Sequence, residues 1–292
     1  MMGPGFRRDN SDTRGEVVND TTTLKSLQGT IVLAGAGKMG GAMMSGWLAQ
    51  GVEATRVAVI EPKPSDDIGV HLARGVRLNP SPQEVGPVAA FVVAVKPQIF
   101  RDAATLLKPY VDATTLVVSI MAGTTTAALA DALGGNVVRA MPNTPAAIGR
   151  GITVAVAATD VSPSQRDIAD GLLRATGSVE WVSDEGLIDA VTAVSGSGPA
   201  YVFLLAEELA RAGVAAGLPE ALATKLARET VAGSGELLHR SDLTAATLRQ
   251  NVTSPGGTTA AALDILMGIN GFQPLLTEAV AAATRRSKEL AK

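Results

Sequence analysis

Short β-branched apolar runs alternate with helical patterns from Thr30 to about Trp181, and then they stop. The runs are IVLAG (31–35), RVAVIE (56–61), VAAFVVAV (88–95), TLVVSI (115–120), NVVRAM (136–141), ITVAVAA (152–158) and SVEWV (178–182). Those at 88–95 and 115–120 are nearly all apolar, as strands covered on both faces must be. Strands alternating with helices imply a mostly parallel sheet with right-handed crossovers. Beyond Ser183 the pattern predicts helices alone, over 184–194, 199–216, 219–240, 243–251, 258–268 and 272–291. Pro199 and Pro219 suit first helical turns, and Gly217 and Gly271 suit helix ends. The expected organisation is an α/β unit with a mostly parallel sheet over 29–184 followed by an all-α unit over 185–292. Helices 199–216 and 219–240 are too apolar for a lone two-layer bundle, which points to a homodimer built through this half.

Composition removes several function classes. A length of 292 residues with 46% hydrophobic content supports a large core without disulfide or metal staples. There is no Cys, which excludes disulfides, thiolate catalysis and Cys-ligated metals. The two histidines, His71 and His239, lie far apart and read as surface residues, so neither a catalytic triad nor a His-rich metal site is expected. A net charge of −3 without a dense basic block gives no case for nucleic acid. No stretch of about 18 uninterrupted apolar residues occurs, so no membrane span is expected. The Cys-free chain suits a reducing cytoplasm, the expected location. Residues 1–28 are polar, lack an apolar signal core and read as a disordered extension.

The first run leads into Gly35-Ala36-Gly37-Lys38-Met39-Gly40 and then a helical pattern. This is GxGxxG in the required context, strand before and helix after. Glycine at 35 permits a tight turn, at 37 admits a pyrophosphate to the backbone, and at 40 lets helix meet strand. The helix N-terminus adds free N–H groups and partial positive charge. The second run ends in Ile60-Glu61-Pro62-Lys63, where a carboxylate can accept from both ribose hydroxyls and repel a 2′-phosphate. Lys63 could instead pair with that phosphate, so NADH and NADPH both stay open. Strand ends at Ala94-Val95-Lys96-Pro97, Ile120-Met121-Ala122 and Met141-Pro142-Asn143-Thr144-Pro145 would line the ligand crevice, or simply shape loops.

Three features of the helical half stand out. TSPGGTT (253–259) is either helix punctuation or a backbone cradle for a carboxylate. SGSGPAY (195–201) separates two helices with little side-chain bulk, either for close approach to substrate or to a partner protomer or as a tight interhelical turn, and Glu185 reads as a helix-start acid or a group near a substrate amine. The tail TRRSKEL (284–290) reads as a solvated helix face.

Taken in order, GAGKMG (35–40), AVKP (94–97), RAMPNTP (139–145), LIDAVTAVSGSGPAY (187–201) and NVTSPGGTTAAAL (251–263) resemble pyrroline-5-carboxylate reductases over essentially all of 30–290. The resemblance implies hydride delivery from NADPH or NADH to the C=N carbon of 1-pyrroline-5-carboxylate, giving L-proline in the last step of its biosynthesis. It implies a Rossmann-type domain, a helical dimerisation domain, a homodimer or an assembly of dimers, and active sites where protomers meet. Neither metal, membrane nor nucleic acid is implied. Cofactor contacts would fall on Ala34, Gly35, Ala36, Gly37, Lys38 and Met39, on Glu61, on Ala94, Val95, Lys96 and Pro97, and on Ile120, Met121 and Ala122. Substrate contacts would fall on Glu185, Asn251, Ser254, Gly257 and Thr258, with Thr259 bonding the ring nitrogen as the catalytic hydroxyl. Glu61 departs from the family, which often carries a small hydroxyl residue or Arg/Lys there. A β-hydroxyacid dehydrogenase is the rival enzyme and would need a catalytic Lys, for which Lys225 is the main candidate. A non-catalytic dinucleotide sensor is the rival of a different class.

Overall fold

The computed structural model describes Leu24 and residues 27–290. Eight strands form one sheet in the order β3-β2-β1-β4-β5-β6-β7-β8. They are β1 (Thr30–Ala34), β2 (Val57–Ile60), β3 (Arg77–Leu78), β4 (Val88–Val93), β5 (Leu116–Ser119), β6 (Asn136–Met141), β7 (Gly151–Ala157) and β8 (Gly177–Trp181). All neighbours pair in parallel except β6 and β7. The reversal has a simple cause: the connection 142–150 is shorter than the dozen or so residues a parallel crossover requires. The seven expected runs all form strands, and the two-residue β3 on the sheet edge is additional.

Helices α1 (Lys38–Ala49), α2 (Pro97–Leu107), α3 (Thr126–Leu133) and α4 (Pro163–Arg174) cover both faces. One apolar layer gathers Ile31, Met43, Trp47, Val92 and Leu172, and the other gathers Val32, Phe91, Phe100 and Leu129. Because alternate side chains of a strand point to opposite faces, each apolar strand feeds both layers. The indole N–H of the fully buried Trp47 donates to the Leu172 carbonyl at 2.8 Å, joining α1 to α4. The expected 1–28 extension lies mostly outside the described residues. Its described Leu24 and Leu27 are buried in the first layer, Leu24 against Gly171 of α4, so they belong to the core.

After β8 come α5 (Gly198–Ala215), α6 (Glu220–Arg240), α7 (Ala245–Asn251), α8 (Thr258–Leu266) and α9 (Phe272–Leu290). SGSGPAY is not a turn. A short helix, Ile188–Val191, runs into a π-helical stretch, Thr192–Gly196, and on into α5. The Tyr201 hydroxyl donates back to the Ala193 carbonyl at 3.0 Å, and Ser195 Oγ is buried without a partner. Such π insertions re-aim a helix and cluster at functional sites.

Helices α5 and α6 pack on each other and α9 packs on 188–196, whereas α7 and α8 pack extensively on no other element of the chain. From 198 to 290, Ala223, Ala227, Gly271 and Ser287 are the buried positions among the described residues. Phe203 (67% exposed), Leu237 (56%), Ile265 (77%) and Ile269 (92%) all face outward. By length and apolarity the run Glu185–Ala215 is sufficient to cross a membrane, although it contains no uninterrupted apolar stretch of that length.

Candidate active site

The carboxyl ends of β2, β1, β4 and β5 lie side by side, and they carry every cofactor residue that the sequence suggests. Ala34 is buried at the end of β1, its carbonyl accepting from the Ala94 N–H at 2.7 Å. Gly35 takes φ +94, and a Cβ there would sit 2.7 Å from the Ala94 carbonyl oxygen. A Cβ on Gly40 would sit 2.1 Å from the Gly35 carbonyl oxygen. Only glycine fits either place. Gly37 differs, since a Cβ there would meet nothing within 4 Å. Its bare backbone faces open space at the start of α1, which has no acidic residue in its first turn and no side-chain cap. Gly37 and Lys38 are exposed, with Ala36 and Met39 half-buried. These residues fit a dinucleotide's pyrophosphate: free N–H groups, helix-dipole charge and no side chain in the way.

Glu61 follows β2 and turns back over this loop. Its Oε2 accepts from the Ala36 N–H and its Oε1 from the Lys63 N–H, both at 3.0 Å. Ala94 and Val95 are half-buried after β4, while Lys96 precedes Pro97 at the start of α2, both exposed. The Ile120 N–H donates to the Val93 carbonyl at 3.0 Å, which ties the two loops together. Met121 is buried, Ala122 half-buried, and a Cβ on Gly123 would lie 3.0 Å from the carbonyl of Leu290. The last helix therefore ends against this loop. Ser287 is buried and donates to Asp189 at 2.6 Å, while Arg285, Arg286, Lys288 and Glu289 of the 284–290 tail are exposed, the solvated face expected of it.

Glu185 is likewise engaged by the chain itself. Its carboxylate accepts from the Thr126 N–H and hydroxyl, both at 2.8 Å, and from Arg139 Nη1 at 2.9 Å. It accepts from the first N–H of α3, whose N-cap is Thr125, and so joins the helical half to the sheet half. Burial would raise its pKa, but the bonds from Arg139 and Thr126 outweigh that and hold it below the ordinary glutamate value. Arg139 was missed as a site residue although it opens RAMPNTP; it is buried, and its Nε and Nη2 have no partner. The Asn143 side-chain oxygen accepts from the Ile152 N–H at 3.0 Å, which ties the loop after β6 to β7. His71 is no ordinary surface residue, since it lines the cavity beside Glu61.

The TSPGGTT loop stands apart from all this. Thr253 donates its hydroxyl to the Arg249 carbonyl at 2.7 Å, ending α7, and the Gly257 N–H closes a turn onto the Ser254 carbonyl at 3.0 Å. Gly256 adopts φ +69, and Gly257, with no side chain to offer, is the N-cap of α8. Neither Thr253 nor Ser254 caps the helix. The first intrahelical bond is Ala261 N–H to Gly257, which leaves the N–H groups of Thr258, Thr259 and Ala260 unpaired. Asn251, Ser254 and Thr258 are exposed and Gly257 and Thr259 half-exposed. The chain does not gather these residues onto its own cofactor loops. Lys225 is exposed on α6.

A glycine-rich strand-to-helix turn, an acid after β2 and an exposed helical half define a dinucleotide-dependent oxidoreductase that assembles through its helices. Residues 185–290 match the family model for pyrroline-5-carboxylate reductase dimerisation, and 30–123 match that of the coenzyme F420-dependent NADP oxidoreductases. A pyrroline-5-carboxylate reductase of Pseudomonas aeruginosa is 39% identical over 90% of this chain and 97% of its own. The Coxiella burnetii reductase structure superposes with a TM-score of 0.83 at 35% identity, covering 90% of this chain and 99% of that one. The Plasmodium falciparum pyrroline carboxylate reductase, solved with NADP bound, gives 0.76 at 30% identity, covering 91% and 99%. The chain belongs to the pyrroline-5-carboxylate reductase family, and it forms a homo-oligomer and uses NAD(P)H.

Proposed function

We propose that the protein reduces 1-pyrroline-5-carboxylate to L-proline in the cytoplasm, at sites where the cofactor loops (within 29–184) of one protomer meet the TSPGGTT loop (within 185–292) of another. The observation that carries this reading is the α8 N-terminus. Three unpaired N–H groups, a left-handed glycine and two hydroxyls sit on a helix start that makes no extensive contact with the sheet among the described residues. A second copy of the chain, docked on the apolar α5–α6 face, would bring that loop to a crevice. The same docking accounts for the exposed apolar run 185–215 as protein interface.

The reduced nicotinamide supplies the hydride. The chain's own residues do the rest. The N–H groups of Thr258, Thr259 and Ala260 receive the substrate carboxylate, which fixes the ring without a cationic side chain beside an iminium. The Thr259 hydroxyl bonds the ring nitrogen and orients the C=N carbon. The small residues Ala122 and Gly123 leave one ring face open to the donor. Hydride adds to carbon as the C=N π pair collapses onto nitrogen, which retains its proton as the proline amine. No His, Cys or metal is needed for this.

The test is consumption of NADH or NADPH by the full chain when the imine is added. Imine-dependent oxidation supports the reading. Binding of the dinucleotide without consumption would support a sensor instead, and turnover of a β-hydroxyacid alone would support the rival dehydrogenase.

A further inference from the structure

The Glu61 side chain is placed more exactingly than a ribose contact requires. Both its oxygens are taken by main-chain N–H groups, Ala36 from the glycine loop and Lys63 from the turn after β2. Its own main chain is bracketed by one side chain: the Glu61 N–H donates to Asn79 Oδ1 at 2.8 Å, and Asn79 Nδ2 donates to the Glu61 carbonyl at 2.9 Å. Asn79 is held in turn by its N–H on the Val59 carbonyl at 2.7 Å. It adopts φ +49, the one non-glycine residue in the left-handed region among those described. Asn tolerates that conformation better than other side chains, at a cost that surrounding structure must offset.

Around the carboxylate lies a cavity of about 500 Å³ that Lys38, Ser45, Lys63, Ser65 and His71 help to line. Lys63 is exposed and its ammonium has no partner among the described residues. His71 turns Nε2 toward Ser45 Oγ at 3.4 Å, and its Nδ1 is buried without a partner. Two converging main-chain donors with Lys and His nearby make a seat for an anion. In this chain the anion is already there, as Glu61.

We propose that the Glu61 carboxylate fills the seat that would otherwise take a cofactor's 2′-phosphate, and so selects the dinucleotide that lacks that phosphate. This deepens the oxidoreductase reading and rests on it. A 2′-phosphate brought to this cavity would have to displace a fixed carboxylate from two N–H donors and then lie beside it. An unphosphorylated ribose finds carboxylate lone pairs free to accept its hydroxyls. Asn79 is the positioning residue, acting only through the Glu61 backbone. Without the carboxylate, the Ala36 and Lys63 donors with Lys63 and His71 become a working phosphate site.

Fluorescence titration of the full chain with NADH and with NADPH, without imine, tests the proposal, with 5′-AMP and 2′,5′-ADP as a second pair. The unaltered chain is expected to bind NADH and 5′-AMP about tenfold or more tightly than the phosphorylated partners. Glu61→Ala is expected to strengthen NADPH binding about tenfold while weakening NADH, and Glu61→Gln, which keeps the volume, to shift the ratio in the same direction. Asn79→Ala is expected to reduce the ratio without reversing it. An unaltered chain that binds NADPH as tightly as NADH overturns the proposal. So do Glu61 variants that change both affinities by one factor, since that marks a purely structural carboxylate. Selective NADH binding without imine turnover would leave this proposal standing and remove the imine-reduction reading. Turnover with NADPH bound more tightly would do the reverse.

Discussion

The sheet half and the helical half solve the burial problem in opposite ways. In the sheet half the central strands find two apolar layers within one chain, and residues such as Trp47 and Phe91 are fully enclosed. In the helical half apolar residues are about as frequent, yet the large ones stay outside, with Ala223 and Ala227 the buried hydrophobic positions of α5 and α6 among the described residues. An apolar surface of that extent in a single copy marks an interface. The contrast extends to chemistry. The cofactor loops lie side by side within one chain, whereas the TSPGGTT loop presents its unpaired donors apart from them.

The largest expected effect comes from breaking the open half while sparing the closed one. Phe203→Asp with Leu237→Asp places charge on the α5–α6 face. It should dissociate the oligomer and lower imine reduction by about a hundredfold or more, while cofactor binding persists. Light scattering, titration and turnover check this together. Loss of cofactor binding alongside oligomer would mean that the halves are not separable.

Thr259→Val sharpens the comparison from the other side. It should lower imine reduction about tenfold or more and leave cofactor affinity and Tm unchanged, as loss of one transition-state bond does. Turnover close to that of the unaltered chain would remove Thr259 from the mechanism.

A smaller effect is expected where the halves join. Arg139→Met leaves the Glu185 carboxylate without its cation and should destabilise the fold by about 1–3 kcal/mol, visible as a lower Tm. Glu185 is partly exposed, so solvent screening keeps the figure at that scale. Its folded pKa lies below the unfolded one, so its stabilisation is present above the ordinary glutamate pKa and is lost as pH falls through the folded value. The Arg139→Met variant should therefore show a flatter loss of Tm on acidification than the unaltered chain. The smallest effect belongs to Lys225→Ala, which should leave kcat/KM within error. A large loss would revive the β-hydroxyacid dehydrogenase reading.

Periodicity made the strands and long helices legible, because apolar layers impose a period of two or of 3.6 wherever one face is buried. The glycine loop was legible for a similar reason: at Gly35 and Gly40 a side chain has nowhere to go. β3 was not, since two residues on a sheet edge carry no period. The β6–β7 reversal was readable from the short connection, but strand composition alone points to parallel pairing. SGSGPAY reads as a turn because Gly and Ser are small, yet its backbone continues as π-helix, a choice made by helix packing rather than local propensity. Asn79, Arg139 and His71 matter through partners at 61, 185 and 45, far from them in the chain. No local pattern encodes such contacts. TSPGGTT showed its donor-rich character at once, and what the sequence could not give was the isolation of that loop from its own crevice.

Mixing two impaired variants tests that isolation most directly. Gly37→Val blocks the cofactor cradle at a position where a Cβ meets nothing within 4 Å, so the fold survives. Thr259→Val disables the substrate loop. If each site combines the cradle of one protomer with the loop of another, every mixed dimer contains one intact site, and a random equal mixture recovers about one quarter of unaltered activity. A mixture no more active than its components, with exchange of protomers verified, would place both parts of the site in one chain and contradict the account.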